Sequence, residues 1–412
     1  MIDDPVTATL LAALRRDLPA FTAGTASWRA PHWSALFNLA IEQRVQPQLL
    51  RVLSHRSDAD QEGLGALRAS CRRIAVRHLR LHSATEKVVA ALAAAGIPVL
   101  VLKGMHLVNG VYAQPALREM SDVDLMVRVE HLEAATEVLR SIGYQWSSEY
   151  SLAALLAKAH HLPLMRKPGA AAFELHWTIA PPDMGLAIEV AELWDRAVPI
   201  VIGRTRAWGL CPEDLLLHVS AHATHHHRME LGLRSLCDLA AIVDRFTLDW
   251  TVVGERAERW RCARGTFLAL YLGAALIGVK VPAAILHRLH GPGPRRDDIV
   301  ALTVTHMFSR SGAHLPHHIS RLFGNGSLAQ RWRTLWHQVL LPPEMLTAYY
   351  GLNPRARWPT RFAYQLRRAL QLTRRPGASL LAMSGDAEGR RAVQRQNQLG
   401  DWLAARDPDS RA

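Results

Sequence analysis

Apolar side chains recur three and four positions apart up to Gly96. Leu64, Leu67, Cys71, Ile74, His78 and Leu81 share one face of a predicted helix. Trp33, Leu36, Phe37, Leu39, Ala40 and Ile41 predict an earlier one. Gly96 is placed to end the long helix, because glycine takes the left-handed terminal conformation at little cost. The period then changes. Ile97 to Leu102 is a short apolar run of β type, closed by Lys103-Gly104, with a helix expected on to Tyr112. Asp122 to Val127 predicts a second strand, and His131 to Ser141 a helix stopped by Gly143. Leu162 to Arg166 and Ala172 to Trp177 predict two strands around a Pro168-Gly169 turn.

From Pro212 the helical period returns. Pro212-Glu213-Asp214 suits a first turn, with proline and acids where the free N–H groups lie. Leu215 to His222 and Leu233 to Phe246 read as two helices of a small bundle. Phe267 to Val279 reads as a buried helix, too short to span a bilayer. Pro292-Gly293-Pro294 reads as a linker, followed by basic, aromatic helices. The expected class is α+β: a small mixed sheet flanked by N-terminal and C-terminal helical regions. The expected divisions are 1–96, 97–205, 206–290 and 291–412.

Composition narrows the function classes. No run of about 18 apolar residues predicts a spanning helix. Met1-Ile2-Asp3-Asp4 has no leader pattern. Cys71, Cys211, Cys237 and Cys262 are too scattered for a zinc ribbon or a disulfide framework, so a reducing cytoplasm is expected. The 49 basic and 36 acidic residues give a net charge of +13, which favours anionic partners. Much of the excess is arginine spread along the chain.

The chemistry concentrates in Asp122-Val123-Asp124. Strand alternation turns both carboxylates to one side, where they repel each other. A divalent cation removes that cost, and magnesium prefers carboxylate oxygens together with substrate phosphates. Alone, the pair also reads as a solvated strand end. In Phe173-Glu174-Leu175-His176-Trp177 the apolar side chains take one face, and Glu174 and His176 the other. Glu174 is then a third metal ligand or the polar face of an edge strand. Lys103-Gly104 follows a strand and opens a helix, a place suited to phosphate. Arg118 lies four residues before Asp122, within reach of a triphosphate.

Leu102-Lys103-Gly104, Arg118, Ser121-Asp122-Val123-Asp124-Leu125 and Glu174-Leu175-His176-Trp177 together resemble an uncharacterised bacterial nucleotidyltransferase family of the DNA polymerase beta superfamily. The resemblance is sharpest over residues 97–177, weaker over 212–246. It makes 97–205 the nucleotidyltransferase core. It implies transfer of a nucleotidyl group from a nucleoside triphosphate, ATP among them, to a hydroxyl or similar acceptor. Asp122, Asp124 and Glu174 would hold Mg2+, or Mn2+ in its place. Lys103, Gly104 and Arg118 would bind the nucleotide. The usual Gly-Ser is Gly104-Met105 here, which leaves Lys103 to compensate as the phosphate-contacting cation.

Histidines supply the candidate acceptor contacts: His161, His176 and His222. His160 is a further candidate for the cleft. His218 and His222 are four apart, a zinc-compatible spacing, but without the glutamate of H-E-x-x-H. With His225, His226 and His227 they read as a polar helix end lining a cleft. Arg234 and Asp238, one turn apart, are expected to pair. Trp358 to Arg375 reads as a basic amphipathic helix, packed on its own protein or lying on an anionic membrane. No basic stripe with interleaved aromatics crosses the core, so nucleic acid is not the expected acceptor. The competing class is a catalytically inactive relative that binds a nucleotide or a partner.

Overall fold

The computed structural model describes residues 4–54, 61–146, 152–290, 296–309, 346, 357–374 and 387–404. The expected linker at Pro292-Gly293-Pro294 lies outside them. The chain divides into two compact units. The first takes residues 1–146, 161–180 and 184–294, and the second takes 147–160, 181–183 and 295–412.

The first unit opens with helices α1 (Pro5–Arg15), α2 (Leu18–Thr25), α3 (Ala30–Glu42), α4 (Gln46–Leu53) and α5 (Gln61–Ala94). The expected stripe on α5 is the buried one: Leu64, Leu67, Ile74, His78 and Leu81 all face the core. Gly96 has φ +70° and ends the turn that follows α5. On α3, Trp33, Leu36, Phe37 and Ala40 are buried, whereas Ile41 is exposed.

Next come strand β1 (Leu100–Val101), α6 (Lys103–Gly110), β2 (Val123–Met126) and α7 (Leu132–Ser141). Helix α8 (Leu152–Lys158) belongs to the second unit. Then follow β3 (Phe173–His176), α9 (Val190–Asp195), β4 (Val198–Ile202) and β5 (Thr205–Gly209). The sheet order is β3-β2-β1-β5-β4. β2 and β3 run parallel, as do β1 and β5, and the other two pairs are antiparallel. The fold is therefore α+β with a small mixed sheet.

Two sheet expectations need correction. Leu162 to Arg166 is not a regular strand. It follows β3 through isolated bridges, with Leu162 N–H donating to Leu175 and Met165 exchanging hydrogen bonds with Phe173. The β4–β5 hairpin is additional. Its turn places Gly203 at φ +60°, and a Cβ there would collide with the Glu86 carboxyl of α5. Glu86 accepts instead from the Arg204 N–H at 3.1 Å.

Helices α10 (Pro212–Ala221), α11 (Leu233–Arg245), α12 (Trp250–Arg259), α13 (Ala263–Ile277) and α14 (Ala283–His290) complete this unit. Asp214 in the first turn of α10 is fully buried between Arg196 at 3.0 Å and Arg256 at 2.9 Å. A buried carboxylate needs such partners. In the second unit, α15 (Arg296–Phe308) packs against α17 (Ala387–Ala404). Helix α16 (Trp358–Arg374) leaves Trp358, Phe362 and Leu366 exposed on one face. No helix among the described residues is long and apolar enough to cross a membrane.

Candidate active site

The parallel register sets Asp124 opposite Glu174 and Met126 opposite His176. Phe173 and Leu175 turn into the core, so Glu174 and His176 share the other face with Asp124. His176 Nε2 lies 3.0 Å from Asp124 Oδ1 and 3.5 Å from Glu174 Oε2. One donor atom from each of Asp124, Glu174 and His176 falls within 4.8 Å of the others. This group differs from the expected one: His176 joins it, and Asp122 stands beside it. Asp122 accepts from Ser121 Oγ at 3.1 Å. Burial raises its pKa, and the charges of Asp124 and Glu174 raise it further. The three acids therefore share one electrostatic neighbourhood.

Asp124 behaves in the opposite way. Its burial opposes ionisation, but the Lys103 ammonium at 2.9 Å and the His176 ring hold its carboxyl well below the usual carboxylate range. Lys103 sits at the start of α6 with φ +38°, a left-handed conformation costly for a residue with a Cβ. That backbone directs the side chain to the acid on β2.

Gly104 is required for packing. A Cβ on it would stand 2.7 Å from Met120 Sδ and 2.8 Å from Arg118 Nη1. Met105 is 1% exposed, so the position that follows Gly104 packs into the core. Arg118 is 7% exposed and does not project as a free phosphate-seeking cation. Its Nε and Nη2 donate to the two carboxylate oxygens of Asp238 at 2.7 and 2.9 Å. Tyr112 donates to the same carboxylate at 2.8 Å. Asp238 is thus taken by Arg118, not by Arg234 as the helical spacing suggested. Arg234 reaches the Glu119 carbonyl at 3.4 Å.

His161 enters the site. Its Nε2 is 3.9 Å from Glu174 Oε2, and its ring centroid is 4.8 Å from that of His176. Burial lowers its pKa, and the neighbouring His176 adds to this. His160 falls in the second unit. His222 opens a π-helical turn, His222–His226, directly after α10. Burial lowers its pKa most, and Lys103, His227, His226 and His218 lower it further. Sequence did not single out His106 for this place, whereas His218 was read as part of the polar helix end. Burial pushes His106 down to about 4 and His218 well below its usual range, so both are neutral.

The uncharacterised nucleotidyltransferase family model matches residues 29–278, more than half of the chain and all five strands. The chain belongs to this nucleotidyltransferase family. A search of curated proteins finds no match. For a nucleotidyltransferase, the carboxylates suit a divalent metal: Asp124 and Glu174 lie opposite each other, and the raised pKa of Asp122 marks anionic crowding that a cation relieves.

Proposed function

We propose that this nucleotidyltransferase is of the DNA polymerase beta type and depends on magnesium, with manganese as a substitute. It moves a nucleotidyl group from a nucleoside triphosphate, such as ATP, to a hydroxyl on a small molecule, peptide or protein. The observation that carries this reading is the parallel register of Asp124 with Glu174, with Asp122 beside them. Asp122, Asp124 and Glu174 would hold the metal, which supplies charge neutralisation at the departing pyrophosphate and acidifies the attacking hydroxyl. The protein's own residues position the reactants. Lys103 holds Asp124 ionised and presents an ammonium at the start of α6, where free backbone N–H groups of Gly104 and its neighbours favour phosphate. Arg118 acts indirectly, fixing the Gly104 turn from below through Asp238. His176 and His161 flank Glu174, and with His222 they line the acceptor side. With no disulfide among its cysteines, the chain would work in the cytoplasm.

A second reading has its own support. Lys103 already neutralises Asp124, and Met105 replaces the phosphate-gripping serine. A catalytically inactive relative that binds a nucleotide or a partner would tolerate both. Radiolabel transfer from α-labelled triphosphates onto a cell extract separates the two readings. Magnesium-dependent labelling by the native chain, lost in Asp124→Asn, supports catalysis. Nucleotide binding without any labelling supports the inactive relative.

A further inference from the structure

Close to the carboxylate group lies a second set of ligand-type side chains, of which the proposed reaction uses only His222. His222, His226 and His227 each offer a ring nitrogen, and these nitrogens lie within 4.8 Å of one another. Their ring centroids are 4.5 Å (His222–His227), 4.7 Å (His226–His227) and 5.3 Å (His222–His226) apart.

The backbone explains this gathering. In an α-helix His227 would stand about 140° around the axis from His222, facing elsewhere. Here the His227 N–H donates to the His222 carbonyl at 3.1 Å, the five-residue bond of a π turn. That bond stacks position 227 over position 222, while 226 stays on the same side. The i, i+4 pair that the sequence offered for zinc, His218 and His222, is not the group that forms. The His218 ring is 6.3 Å from that of His222 and fully buried. π turns inside helices are frequent at functional sites.

We propose that His222, His226 and His227 bind a divalent transition metal, zinc by ligand type, with a fourth position open to an oxygen or nitrogen donor of a ligand. Imidazole nitrogens favour zinc over magnesium, so this centre selects a different metal from the neighbouring carboxylates. Tetrahedral zinc at about 2.0–2.1 Å sets its nitrogens about 3.4 Å apart, a contraction that side-chain rotation supplies. Three neutral ligands leave the ion's charge uncompensated within its own shell. Glu174 supplies nearby counter-charge, against the Lys103 ammonium that the same histidines also feel.

The test reads metal binding alone and needs no transfer activity. Untagged full-length protein is stripped with chelator and titrated with Co2+, whose tetrahedral complexes absorb strongly in the visible. The expected result is one equivalent bound with that absorption, displaced by Zn2+. Removing second-shell partners of a metal weakens binding by roughly 10- to 100-fold. Losing a ligand in His226→Ala or His227→Ala should cost at least as much. Asp124→Asn should leave the band in place. X-ray absorption on the zinc-loaded native chain, which needs no variant, should count three imidazoles. No visible band, a band that survives both histidine changes, a band lost in Asp124→Asn, or fewer than three imidazoles would each overturn the proposal.

Discussion

Lys103 Nζ lies 2.9 Å from Asp124 Oδ1 and reaches it from a backbone held at φ +38°. The contact ties the strained start of α6 to the acid on β2. Lys103→Met removes the cation and keeps the stem. A charge-assisted hydrogen bond is worth about 1.5–3 kcal/mol, so triphosphate affinity should fall roughly 10- to 100-fold. Calorimetric titration with a triphosphate and magnesium measures this. An unchanged dissociation constant removes Lys103 from the phosphate site.

The two aspartates should respond oppositely to the same substitution. Asp122 carries a raised pKa from burial and like charge, so its ionised form strains the metal-free fold. Asp122→Asn should raise the melting temperature without magnesium by roughly one to two degrees. Asp124 is bonded to Lys103 and His176, and the loss of those charged contacts outweighs the relief of its repulsion with Asp122. Asp124→Asn leaves a partly buried ammonium short of its partner and should destabilise by about 1–3 kcal/mol. Both variants should lose transfer activity. Equal melting shifts of the same sign would contradict this division.

Arg118 and Asp238 form a buried pair whose partners are 120 residues apart in sequence. Removing one partner of such a pair costs about 3–5 kcal/mol, because the other charge is stranded. Arg118→Ala should therefore unfold at markedly lower urea than the native chain. Little change in the midpoint, together with lost nucleotide binding, would restore Arg118 to the phosphates.

Stability should fall on mild acidification. The unfolded imidazole of His106 titrates near 6.5, whereas the buried one resists protonation until about 4. Below 6.5 the unfolded chain binds more protons, so stability is lost as pH drops through that window. The loss from this residue is about 3 kcal/mol, and none of it appears above pH 7. His106→Leu should flatten the slope of melting temperature against pH between 6.5 and 4. An unaltered slope would show that His106 takes up its proton without penalty.

The exposed row of Trp358, Phe362 and Leu366 on α16 accompanies Arg361 and Arg367. Apolar burial plus attraction to anionic lipid sets the strength of such contacts. The native chain should cosediment with vesicles containing anionic lipid, and Trp358→Ala/Phe362→Ala should reduce this several-fold. Equal sedimentation with neutral vesicles would exclude the charge-assisted contact.

What the sequence made legible follows a physical pattern. The buried stripe of α5 and the acids of β2 and β3 were readable because local periodicity sets which face is buried. The β4–β5 hairpin was missed: Pro199 interrupts an otherwise β-branched run, and Gly203-Arg204 is a modest turn signal. His226 and His227 were seen only as part of a polar helix end, since a π turn breaks the period that the reading assumed. The Arg118–Asp238 pair had no local signature at all. Helical spacing instead favoured Arg234, one turn from Asp238, and tertiary packing overruled it.

The edges of the sheet limit how this chain can meet a partner. The Trp208 N–H donates to Val99, across to β1, so its register mate Pro199 turns its nitrogen toward the open side of β4. Proline has no hydrogen to offer there, and the outer edge lacks a donor in mid-strand. At the opposite end, Leu162 and Met165 already take up the free groups of β3. Strand addition, the commonest way for a sheet to recruit an extended peptide, is thus discouraged at both ends. A peptide or protein acceptor would have to be recognised by its side chains, presented singly to the cleft, and not by its backbone.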